Sequence, residues 1–169
     1  MYRNIFYDFT DAEDYTEIIK QIIKKFRISD EYRMWLQMYD RHACAATGFT
    51  KDADGVEIQM HHYGMTIWDW TERILGAFID HDPPLPINTF YICLILNELH
   101  MNNCISCIPL MHCVHDMIHA DYDATIARYP SILENINEGN IELADQIINE
   151  YVEDLAIKLN INNTLEESK

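Results

Sequence analysis

Two histidine pairs constrain this chain more than any other feature. His61-His62 closes the segment Val56-Glu57-Ile58-Gln59-Met60, where apolar and polar residues alternate as they do in a half-buried strand. His115 and His119 are spaced i, i+4, so both imidazoles lie on one face of a helix. Such a helix pair, with a third imidazole from a neighbouring strand, can hold one divalent ion and leave positions open for water. A second strand histidine can then act as general base on that water. Any fold that serves this geometry must bring a strand end against a helix that comes far later in the chain.

The flanking sequence reads mainly as helix. Ile18, Ile19, Ile22, Ile23 and Phe26 recur at helical spacing, which predicts an amphipathic helix from Asp11 to Arg27 capped by Thr10 or Asp11. Ser29 caps a second helix through Tyr39, with Met34, Trp35, Met38 and Tyr39 as its apolar face. Asp54-Gly55 is a tight-turn signal and predicts a local β-hairpin, with the His61-His62 pair ending its second strand. Thr66 caps a helix from Ile67 to Ile79, and the proline-rich Asp82-Pro83-Pro84-Leu85-Pro86 breaks the chain. A helix follows from Asn88 to Met101, then a short extended piece from Cys104 to Pro109, then a helix from Met111 to Asp121. After Pro130 a last helix runs from about Asn140 to Leu159. The expected class is α+β, mostly helical, with one domain over 1–169: N-terminal helices at 11–43, a histidine-bearing core at 44–122 and a C-terminal helical extension at 123–169.

Charge sets the limits on partners. Twelve Lys+Arg stand against twenty-eight Asp+Glu, a formal net charge of -16. A chain that grips phosphates usually carries a basic patch, and here only Lys20, Lys24, Lys25 and Arg27 cluster, on the first helix. A surface this acidic could instead imitate DNA and occupy a DNA-binding protein. No apolar run approaches the length of a membrane span, so the expected location is the cytoplasm, without membrane contact. Five cysteines, an odd number, point to free thiols or metal ligands and away from a disulfide framework. Exposed apolar residues on the terminal helices would permit a homodimer.

Three segments carry a family resemblance: Cys44-Ala45-Ala46-Thr47-Gly48-Phe49, then His61-His62-Tyr63-Gly64, then Leu99 to Asn103 followed by Ile108-Pro109-Leu110 and the helix to His119. Over roughly 44–122 this order resembles the HNH endonucleases, particularly the small phage-encoded type with a ββα-metal core. The resemblance implies a phage origin and metal-dependent hydrolysis of DNA phosphodiester bonds. It implies His62 as general base, His61, His115 and His119 as ligands of one divalent ion (Mg, Mn, Ni or Zn), and Asn102 or Asn103 as the base-orienting asparagine. His100 is an outer candidate. The family's structural-zinc cysteines fall on Cys44, Thr47, Met111 and Val114, so a structural zinc is not expected. On this basis the partner is DNA. The alternative is an acidic inhibitor on the same scaffold that binds a host defence, replication or transcription protein in the host cytoplasm.

Overall fold

The computed structural model describes residues 12–39 and 42–167. Among these it forms nine helices and two strands: α1 (Ala12–Arg27), α2 (Asp30–Met38), α3 (Lys51–Asp54), β1 (Ile58–His62), α4 (Ile67–Ile79), α5 (Thr89–Met101), β2 (Cys107–Met111), α6 (His112–Ala120), α7 (Tyr122–Arg128), α8 (Ser131–Glu134) and α9 (Ile141–Glu167). The class is α+β and mostly helical. The predicted caps at Thr10 and Asp11 lie outside the described residues.

Local chemistry explains most boundaries. The Ser29 side chain accepts the Tyr32 N–H and starts α2. Asn88 Oδ1 accepts the Phe90 N–H at the head of α5. At α4, Thr66 Oγ1 accepts the Asp69 N–H, and Asp69 Oδ2 accepts the Thr66 N–H at 2.7 Å, a reciprocal capping box. Thr66→Ala removes one half of it. The expected loss is about 1 kcal/mol, read as a lowered urea midpoint with unchanged slope.

The local hairpin does not form. Thr50 and Asp54 exchange hydrogen bonds across one turn: Thr50 Oγ1 accepts the Ala53 N–H, and Asp54 Oδ2 accepts the Thr50 N–H at 2.7 Å. This builds the short helix α3, and Gly55, at φ 66°, ends it in the left-handed region. β1 pairs instead with β2, antiparallel, with His61 opposite Ile108 and His62 opposite Cys107. Residues 63–106, including α4 and α5, intervene between the two strands.

Two cores flank this ribbon. The larger gathers Ile19, Ile22 and Phe26 of α1, Ile74, Leu75 and Phe78 of α4, Ile92, Ile95 and Leu99 of α5, and Ile148 and Val152 of α9. Full burial of each such side chain stabilises the fold by roughly 1.5–3 kcal/mol before entropy is counted. On α2, Tyr32 and Trp35 turn into this core, whereas Met34 and Met38 are exposed. The smaller core joins Cys44, Ile58, Ile108, Leu110, Val114, Ile118 and Ile132. β2 serves both, since Cys107 belongs to the larger and Ile108 to the smaller.

Candidate metal centre

His61 and His62 are adjacent on a strand, so their side chains leave opposite faces. This separates them. His61 is turned toward α6, its ring centroid 5.1 Å from both His115 and His119. The His115 and His119 rings stand 4.6 Å apart. One ligand atom from each of the three lies within 4.8 Å of the others. α6 begins where β2 ends, and the His112 N–H donates to Glu57 O at 3.0 Å, which folds the helix back over β1. Val114 and Ile118 bury one face of α6 in the smaller core. That leaves His115 and His119, one position further round, for the strand end.

The donor set fits a borderline transition-metal ion. Zinc takes imidazole nitrogen at about 2.0–2.1 Å, which places tetrahedral ligand atoms roughly 3.4 Å apart. The 4.8 Å limit on the spacing here is wider than that, so binding an ion would draw the three rings closer together. His61 is 8% exposed, and burial first, then the neighbouring His115 and His119, lower its pKa to about 4. Burial and then His119 lower that of His115 as well, opposed by Asp116. Both imidazoles are therefore neutral at pH 7, as a ligand must be. Asp116 lies 3.9 Å from His115 Nδ1, which favours Nε2 as the atom offered to an ion. Three nitrogens and no carboxylate suit zinc, nickel or cobalt far better than magnesium, which takes oxygen ligands.

His62 leaves on the other face and meets His100 of α5, with 3.1 Å between the two Nε2 atoms. His100 Nδ1 is 2.6 Å from Leu96 O and must donate to it. His100 Nε2 is then the acceptor and His62 Nε2 the donor. Burial, then His100 and Arg27, push the His62 pKa down to about 3. The atom that would have activated water is thus engaged inside the protein. Asn102 caps α5, donating its Nδ2 to Glu98 O at 2.9 Å, and Asn103 sits in the turn at φ 54°. Both are exposed, and neither lines the cavity of about 390 Å³ beside the three histidines. The structure therefore brings His61, His115 and His119 together; His62 lines the same cavity with its Nε2 turned to His100, and the two asparagines stand outside that lining.

Two further residues, His100 and Arg27, border the site. His100 continues the buried stripe Ile92, Leu96, His100 at i, i+4, i+8 of α5, a spacing that signals an interior histidine. Arg27 lines the cavity from the end of α1. Lys24, Lys25 and Arg27 occupy the last turn of α1, where cations complement the helix dipole. The four positions aligned with zinc cysteines do come together: Thr47 Oγ1 donates to Met111 Sδ at 3.5 Å, and Cys44 and Val114 are buried in the core that Met111 packs against. They form an apolar cluster with a single thiol.

Among the described residues no helix is long and apolar enough to cross a membrane. No curated protein and no solved structure matches the chain. A protein family does match, over residues 2–169, and its description is Bacteriophage G278-like virion protein. The phage origin fits this match. The endonuclease assignment, with its hydrolase activity and DNA partner, is overturned by it, because the family points to a component of the particle. The inhibitor alternative gains no support from it either. The formal net charge of -16 agrees with that correction. By this match over nearly its whole length, the chain belongs to the family of bacteriophage G278-like virion proteins.

Proposed function

We propose that this chain is a structural component of the phage particle in which one divalent transition-metal ion, bound by His61, His115 and His119, staples β1 to α6. The observation that carries this is the convergence of three imidazoles, one buried, from two elements that are distant in sequence. Their first contribution is mechanical. An ion that binds only the folded arrangement stabilises it by mass action. It would lock the small core, which rests on few side chains, onto the helical body. The location that goes with this role is the assembled virion, and the partners are its other subunits.

The test is equilibrium dialysis of the purified chain against Zn²⁺, Ni²⁺ and Mg²⁺. One zinc or nickel per chain is expected, with no retained magnesium. His119→Ala removes an exposed ligand without opening the core, and zinc affinity should fall by about a hundredfold or more. Equal zinc uptake by the variant and the parent chain would place the metal elsewhere.

A further inference from the structure

We propose that the cavity beside the three histidines binds a carboxylate, held between the open coordination position of the ion and the Arg27 guanidinium. This rests on the metal centre proposed above and names its remaining ligand. Three neutral imidazoles leave the whole +2 charge of the ion in place, and a tetrahedral site has one further position to fill. No carboxylate among the described residues joins the three-histidine cluster. Asp116 is occupied on the outer side of α6 by His112, at 3.4 Å, and His115. Glu57 lies where the cavity meets the adjoining groove, and its Oε1 accepts from Gln59 Nε2 at 3.0 Å. The fourth ligand therefore comes from outside these residues.

Arg27 marks the side on which that ligand sits. It is exposed, no carboxylate among the described residues pairs with it, and it lines the same cavity as His61, His115 and His119. Its place is set by Phe26, fully buried, whose ring packs 4.9 Å from His100. The cavity, at about 390 Å³, admits a small acid or an acidic side chain. Arg27 and the ion together suit one monoanion. A polyanion such as nucleic acid is repelled by the chain's net charge of -16. A carboxylate is also the oxygen ligand that divalent zinc and cobalt accept alongside imidazole. It can be a free acid or an acidic side chain of a second copy of this chain.

The full chain loaded with Co²⁺ reports on both layers. Visible d–d bands of a nitrogen-ligated cobalt establish the metal centre by themselves. Acetate is then titrated in. Saturable change in the bands is expected, and Arg27→Gln should retain the cobalt bands but bind acetate about tenfold more weakly. If the bands instead depend on protein concentration and added acetate abolishes that dependence, a second copy supplies the carboxylate. If they do not, a free acid does. Cobalt bands that ignore acetate, or that respond identically in Arg27→Gln, overturn the carboxylate site while leaving the metal centre standing. An absence of cobalt bands overturns both.

Discussion

Replacing His100 by alanine should lower the unfolding free energy by about 3–5 kcal/mol. His100 is 1% exposed, and three aromatic rings enclose it: Trp35 at 4.8 Å, Phe26 at 4.9 Å and Tyr32 at 5.6 Å. Alanine leaves a ring-sized cavity among α1, α2 and α5. It also strands the His62 N–H that His100 Nε2 accepts. His100→Phe separates the two effects, because it fills the space but offers no acceptor; it should cost only the hydrogen-bond part, about 1–3 kcal/mol. Urea denaturation of the three proteins at pH 7.5 measures this. Equal stability of the parent and His100→Ala would mean that His100 does not tie α1 and α2 to the strand.

The same residue gives stability a pH dependence. Burial lowers the His100 pKa to about 4, from 6.5 for an exposed histidine. Between those values the unfolded chain binds the proton and the folded one does not. The contribution is therefore fully present above about pH 6.5 and is lost as pH falls towards 4. In His100→Phe this share of the acid sensitivity should be missing.

Gly139→Ala should be nearly as damaging, at about 3 kcal/mol. A Cβ at this position would stand 2.2 Å from Cys104 O, 2.7 Å from Ser106 N and 2.8 Å from Cys104 C, all backbone atoms that cannot swing aside. The approach is close because this segment is tied on both sides. Gly139 N donates to Ser106 Oγ at 2.8 Å, Asn140 N donates to Cys104 O at 3.0 Å, and Asn137 and Cys107 exchange backbone hydrogen bonds. The substitution pushes the start of α9 away from the entry to β2. For a chain of this size the melting temperature should fall by roughly 6–12 °C. A drop under a degree would show that the close approach is not maintained in solution.

Much of this architecture was legible because its signals are local. Ser29, Thr66 and Asn88 each start a helix through a side chain that reaches two or three residues forward, and each can be found by reading those few residues. The meeting of His61 with His115 and His119 was also legible, from strand alternation and i, i+4 spacing. The pairing of β1 was not. Asp54-Gly55 resembles a hairpin turn, but the Thr50–Asp54 exchange makes it a helix end, and the true partner strand lies beyond two helices. The split between His61 and His62 follows from the two-residue period of a strand. Its consequence, that His62 faces inward, depends on which helix covers that face. Gly139 gave no warning, since Glu138-Gly139-Asn140 reads as an ordinary loop. Membership of a virion-protein family lies beyond residue chemistry altogether, because a three-histidine cluster on a strand and a helix could serve catalysis or architecture equally well.

The most direct test of the central claim is X-ray absorption at the zinc edge of the stoichiometrically loaded chain, compared with His119→Ala. Three imidazole nitrogens at about 2.0–2.1 Å plus one oxygen ligand are expected, with one imidazole lost in the variant. A shell containing sulfur, or one made of oxygen alone, would contradict the three-histidine centre.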